Sequence, residues 1–384
     1  MPYAGDPWFP PGTVLFSRGK SFYEMVEDLG PGHHGERVLV ARRRVKGEAH
    51  GKVILKAVLM PAVTAELKLA RKRLEEEVKL ASYLRHPNIA RVYDMHKAQG
   101  ALYVITECVT GCSLNTLAEV ALTHERRFPE SFMLYVGAQV AGALAHAHTC
   151  RSDSGKPLNI VHRAMDPVRI RMSLAGEVKL TDFGLASARL PGQGSTRRPG
   201  PRGEVYWASP EALLGQPEDA RSDLFTLGMV LVDFATGRHL LSAPTLLTRD
   251  LWELVPEGER EWLGFAIARV QDEWGGVDPE DTILRAATFT PADVDAATQG
   301  LSEPARAIFR KLLRREPAER YASALELQED LSNVLRERGG YSAKNAADAI
   351  HAALRRAGEA MADDVDGAQS AFCQDHITTE PTPP

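Results

Sequence analysis

Cysteine is scarce. Four occur in 384 residues, at Cys108, Cys112, Cys150 and Cys373, with no Cys-x-x-Cys pair and no histidine at zinc spacing. They read as free thiols in a reducing compartment. Long apolar runs are missing too: none approaches the ~18–20 residues needed to span a bilayer. The start, MPYAGDPWFPPG, has no basic segment followed by an apolar core, so no signal peptide is expected and the expected location is cytoplasmic. An excess of one charge is also lacking. Lys and Arg number 46 against 51 Asp and Glu, a formal net charge of −5. That gives no bulk electrostatic case for a nucleic-acid partner or an acidic membrane. Local runs such as Arg42-Arg43-Arg44 read as solvated strand ends. No internal repeat is visible.

What is present is an ordinary globular balance, 44% hydrophobic and 25% charged, in a chain long enough for two lobes with a sizeable core. Residues 1–21, rich in Pro and Gly, read as a loosely attached leader. From Phe22 the phrases FYEMVEDLG, GERVLVARRR and KVILKAVLM alternate like strands, separated by Gly-rich turns, and predict consecutive hairpins. A charged stretch over 65–85 places Leu74, Val78, Ala81 and Leu84 on one helical face. ALYVITE, residues 101–107, reads as a buried strand. Between Phe128 and His148 the spacing of Phe132, Tyr135, Val136, Val140, Leu144 and Ala147 predicts a core helix. His146 and His148 read as satisfied or exposed histidines rather than ligands. Residues 241–300, with three of the five tryptophans, predict extra helical structure. Beyond Gly339-Gly340 a further helix is expected, with Ile350, Leu354, Ala357 and Met361 on one stripe, then a disordered end at TTEPTPP.

The stretch from Val161 to Ala186, VHRAMDPVRIRMSLAGEVKLTDFGLA, organises the rest. It resembles the catalytic and metal-binding loops of protein kinases, whose pattern is His-Arg-Asp-x-x-x-x-Asn followed by Asp-Phe-Gly. His162, Arg163, Asp182, Phe183 and Gly184 match. Other phrases extend the resemblance over about 22–337. Gly30-Pro31-Gly32-His33-His34-Gly35 is a GxGxxG turn between strands, as in the kinase loop that covers ATP phosphates. The family's Val two residues after the last Gly is Arg37 here, with Val38 one place later, so either a residue is inserted or the register differs. Lys56 in Val-Ile-Leu-Lys resembles the lysine that holds the α- and β-phosphates. Glu75, Glu76 and Glu77 compete as its partner, and spacing to His86-Pro87-Asn88-Ile89 favours Glu77. Alignment puts the hinge at Cys108–Gly111, with the Glu107 carbonyl and Val109 amide facing an adenine and Thr106 guarding the back of the pocket. Ser209-Pro210-Glu211 closes an activation segment, Asp223 anchors the catalytic loop, and Glu211 is expected to pair with Arg320.

The resemblance implies an α+β, bilobal kinase-like fold. A small antiparallel-sheet lobe (22–110) would sit on a mainly helical lobe (111–338), followed by a helix and tail over 339–384. It also implies ATP or ADP as ligand, with Mg²⁺ or Mn²⁺ on Asp182, and a protein partner or substrate in signalling. Two departures redirect the functional expectation. Ala164 stands where the family has its catalytic Asp, and cannot accept a proton. Arg169 stands at the metal-binding Asn, and a guanidinium offers only donors. Arg169 could pair with Asp182, Asp166 or a phosphate, or turn to solvent. The first expectation is therefore a pseudokinase, a nucleotide-binding or conformational module with little or no phosphotransfer. The alternative is an active Ser/Thr kinase with Asp166 as a relocated base beside Lys56 and Asp182.

Overall fold

The computed structural model describes residues 10–31, 36–59, 75–76, 78–124, 126–183, 205–241, 248–274 and 279–363. The first part of the chain folds into β1 (Val14–Arg18), β2 (Ser21–Pro31), β3 (Arg37–Val45), β4 (Glu48–Leu59), β5 (Val92–Ala98) and β6 (Ala101–Glu107). All pair antiparallel in one sheet of order β1-β2-β3-β4-β6-β5. Alternation sorts the side chains. Tyr23, Met25, Leu39, Ala41, Val53, Leu55 and Tyr103 close a core with Leu15 and Phe16. Val38 lies opposite Lys56, and Val40 opposite Ile54, on the other face.

This register answers the question raised by Arg37. Arg37 faces away and binds Asp28, Nε to Oδ1 at 2.7 Å, while Val38 takes the place beside Lys56. The leader expected over 1–21 needs correction. Val14–Arg18 is a strand paired to β2, with Leu15 and Phe16 fully or almost fully buried. The sheet curls until β1 reaches β5: Arg18 donates to the Met95 carbonyl at 3.1 Å and pairs with Asp94, and Phe16 stacks on His96.

The chain then crosses to the large lobe. β7 (Cys112–Ser113), β8 (Ile170–Met172) and β9 (Val178–Leu180) make a three-stranded sheet at its top. Gly111 at the crossing has φ +124°, and a Cβ there would lie 2.1 Å from the Met172 carbonyl oxygen, so the close approach requires glycine. Below lie α1 (Leu114–Thr123), α2 (Glu130–Thr149), α3 (Pro210–Leu213), α4 (Ala220–Thr236), α5 (Thr248–Leu254), α6 (Glu257–Trp274), α7 (Glu280–Thr288), α8 (Pro291–Ala297), α9 (Glu303–Leu312), α10 (Ala324–Glu337) and α11 (Ala343–Asp363). Helices α2 and α4 are apolar around most of their circumference, the mark of a central helix. They form the axis of the core, and α10 lies against α2. Asp219 caps α4, its side chain and that of Ser222 reciprocally satisfying backbone amides, as a capping box does.

The helical expectation for 241–300 agrees with α5 to α8. Leu251, Val255, Leu263, Ile267, Val270, Ile283 and Leu284 are buried in the main core, so these helices are integral to the lobe. Helix α11 docks through Ala346, Ile350 and Ala353, with Leu354 half-buried. The expected stripe is thus met at Ile350 and Leu354, both packed on the main core, with Ala346 and Ala353 beside them; the Met361 side chain lies outside the described residues, as does the tail from residue 364.

Candidate active site

The site is built where β4, the loop after α2 and the end of β9 meet. Asp223, in the first turn of α4 and almost fully buried, holds the loop. One carboxylate oxygen accepts from the His162 amide and the other from the Arg163 amide, both at 2.8 Å, and His148 Nε2 lies 2.8 Å from Oδ2. Burial alone would raise the Asp223 carboxyl, but the His148 hydrogen bond and the nearby imidazoles hold it below its usual range. These bonds fix Arg163 at φ +64°, a left-handed conformation that a non-glycine residue keeps only when its surroundings impose it.

His162 joins the loop to the strand end. Its Nε2 lies 2.8 Å from the Thr181 carbonyl oxygen, which can only accept, and its Nδ1 lies 3.3 Å from the Ala164 amide, which can only donate. The ring is therefore the neutral Nε2–H tautomer, and burial lowers its pKa in agreement. Phe183 packs edge-on against it, centroids 4.6 Å apart, and is itself buried.

Across the cleft runs a chain of alternating charge. Lys56 Nζ is 3.6 Å from Glu36 Oε1 and 2.8 Å from Asp182 Oδ1. Arg169 Nε is 3.6 Å from Asp182 Oδ2, and Arg169 Nη1 binds Asp166 Oδ2 directly. Glu36, Lys56, Asp166 and Arg169 are all buried. Burial would raise the Asp182 carboxyl; the Lys56 and Arg169 charges outweigh that and hold it well below the carboxylate range. The second Asp166 oxygen accepts from the Val168 and Arg169 amides, each at 2.9 Å. Both oxygens of Asp166 thus have partners, and Arg169 is not turned to solvent.

Farther out, Arg320 binds Glu211 with two nitrogens, each 2.8 Å from its own oxygen, and Ser222 adds a third bond. This fork is almost wholly removed from water. At the hinge, the Glu107 carboxylate bridges the lobes, accepting from the Arg91 amide at 3.0 Å and pairing with Lys179 at 2.7 Å.

A lysine on the sheet, an Asp-Phe step at a strand end, a loop pinned by a buried Asp and a Glu–Arg fork recur together in one family. The family model described as "Protein kinase domain" matches residues 23–331. The chain belongs to the protein kinase family. It is 30% identical over 243 residues to the tyrosine-protein kinase MasK of Myxococcus xanthus, and 34% over 192 to the serine/threonine-protein kinase PrkC of Bacillus subtilis. It is 29% identical over 317 residues to the serine/threonine-protein kinase PknB of Mycobacterium tuberculosis. The chain spans 36%, 28% and 42% of the lengths of these three kinases. The kinase domain of Mycobacterium tuberculosis PknI shares the fold, with TM-score 0.50 and 20% identity over 84% of this chain and 98% of that one.

Against the kinase pattern, several expected residues lie outside the described set: Gly32, Gly35, Glu77 and Gly184. The Lys56–Glu77 pairing is among them; Glu75, one of its competitors, pairs with Lys97 at 2.6 Å. Gly30 is described, with φ +92°. Thr106 donates to the Ile54 carbonyl at 3.4 Å, and Val109 is half-buried at the hinge. Ala164 is buried, 3% exposed.

Two residues escaped the sequence reading. Glu36 immediately precedes β3, two places from Val38 and on the Lys56 side, so continuing the strand alternation by one residue carries a signal for it once the register is known. Arg171 lies between Ile170 and Met172, both fully buried in the large-lobe core, and donates to the Gly111 carbonyl at 2.8 Å.

The kinase pattern implies a divalent metal on Asp182, and the residues here do not fit one. Mg²⁺ takes oxygen ligands, yet Lys56 and Arg169 face the two Asp182 oxygens, and position 169 supplies donors only. Among the described residues no group of three or more His, Cys, Asp or Glu could hold a metal ion.

Proposed function

We propose that this chain is a kinase-fold signalling module that binds ATP or ADP between its lobes and transfers phosphate weakly or not at all. The observation that carries this reading is Ala164, a buried methyl group at the catalytic carboxylate's place, in a loop otherwise held in the kinase manner by Asp223 and His162. A positioned acid–base group contributes about 10²–10⁴-fold to such a reaction, and a methyl group contributes none of it. Lys56 and the matching sheet support nucleotide binding. Asp166 does not support the reading of an active Ser/Thr kinase with a relocated base, because its oxygens are engaged by Arg169 and two amides. No helix among the described residues is long and apolar enough to cross a membrane; a cytoplasmic location and a protein partner belong to this proposal.

The test measures phosphotransfer to itself and to generic protein substrates with Mg²⁺ and with Mn²⁺, beside a thermal-shift titration with ATP and ADP. Expected are a nucleotide-dependent rise in melting temperature that Lys56→Ala weakens, and little or no transfer. Robust transfer by the wild type that disappears in Asp166→Asn, with nucleotide binding intact, overturns the reading in favour of a relocated base.

A further inference from the structure

We propose that the Arg169 guanidinium is the resident cation of this cleft, standing where a kinase holds a divalent metal, and that nucleotide phosphate is bound there without magnesium or manganese. The second half rests on the nucleotide-binding reading above; the first rests on the geometry.

Arg169 is 2% exposed and fixed from both ends. Its amide donates to Asp166 Oδ1 at 2.9 Å, and its carbonyl accepts from the Thr181 amide at 2.9 Å and the Thr181 hydroxyl at 3.2 Å. The side chain lies between the carboxylates of Asp166 and Asp182. It holds the position between two acidic groups that an ion would take, and leaving it would give up the bond to Asp166 and the contact with Asp182. A metal entering beside it would meet Arg169 on one Asp182 oxygen and Lys56 on the other. Like charges in a site withdrawn from water repel far more than they do in solvent.

A guanidinium also suits the ligand. Its planar fork matches phosphate as well as carboxylate geometry. Lys56 already carries an anion besides Asp182, the buried Glu36 carboxylate at 3.6 Å. A phosphate oxygen arriving at Lys56 can therefore exchange with Glu36, one anion for another. The cleft holds its own substitute for each half of a metal–nucleotide complex: Arg169 for the cation and Glu36 for the phosphate.

The experiment has two arms on the full chain. Manganese chloride alone is titrated and followed by electron paramagnetic resonance. The wild type is expected to take up no Mn²⁺ in the cleft, whereas Arg169→Asn gains a site that is lost in Arg169→Asn with Asp182→Asn. ATP is then titrated calorimetrically in EDTA and in millimolar MgCl₂. The wild-type Kd is expected to change by less than about threefold, and that of Arg169→Asn to tighten by about tenfold or more with magnesium. Wild-type Mn²⁺ uptake that Asp182→Asn abolishes overturns the first half. Wild-type ATP binding that needs magnesium overturns the second. No ATP binding in either medium removes the nucleotide reading together with the second half, and the manganese arm still decides the first. If Arg169→Asn fails to fold, the two wild-type measurements decide alone.

Discussion

Lys56 has a described neighbour that its sequence context does not announce. Its described partners are Asp182 and Glu36, and the second predicts a competition. If Glu36 occupies the lysine that a phosphate would use, Glu36→Gln should strengthen nucleotide binding. Ligand stabilisation follows RT ln(1 + [L]/Kd), so at a fixed ATP concentration the thermal shift of Glu36→Gln should exceed that of the wild type. An equal or smaller shift would show that Glu36 does not stand in the phosphate's way. Ala164 and Arg169 are legible in the sequence because the motif around them is contiguous and short. What their neighbours do is not. That Asp166 is bound by Arg169 depends on the turn between them, and that Glu36 faces Lys56 depends on the register of a hairpin whose tip and bulge the sequence does not disclose.

Elements show the same division. ALYVITE and the core helix at 128–148 announce themselves by burial and period, and they appear as Ala101–Glu107 and Glu130–Thr149. The strand VLFSR is hidden by the Pro and Gly that precede it, and only its packing against β2 and His96 gives it a place. Helix α11 is legible as a helix, but its docked face is set by what it meets. That contact includes Gly176, in the turn between β8 and β9, with φ +81°; a Cβ there would stand 1.9 Å from the Ala343 carbonyl oxygen at the start of α11. Gly176→Ala should therefore combine backbone strain of about 1–3 kcal/mol with displacement of the helix. Hydrogen exchange should show amides over 343–358 losing protection while α2 and α4 keep theirs. Wild-type protection throughout α11 would mean that Ala346 and Ile350 hold the helix without this contact.

For the whole molecule, acid should act in two stages. His239 is buried, its Nδ1 accepting from the Leu241 amide at 3.2 Å and its ring 3.8 Å from that of Tyr206. Burial pushes its pKa down to about 3 from 6.5, and burial lowers His162 in the same direction. Between the folded and unfolded values the unfolded chain binds the extra proton. For His239 the stabilisation is therefore complete above about 6.5 and is lost as pH falls toward the folded value, at about 1.4 kcal/mol per pH unit; His162 acts in the same direction. The lowered carboxyls of Asp182, Glu211 and Asp223 work at lower pH, since their contribution is present above the ordinary carboxylate range and disappears below it. Urea unfolding from neutral pH to about 4.5 should show the first stage, and His239→Gln should flatten it. An unchanged slope in that variant would assign the effect elsewhere.

The curl of the small-lobe sheet has a consequence for how this protein meets others. A sheet ordinarily ends in two rows of backbone groups open to a strand from another chain, which is how many peptides are captured and how many aggregates begin. Here the outermost strands, β1 and β5, are turned toward each other and joined by Arg18, Phe16 and His96. The upper lobe thus approaches a closed barrel, and recruitment by strand addition is obstructed on that side. A strand added to β1 or β5 from another chain would first have to displace these side-chain contacts.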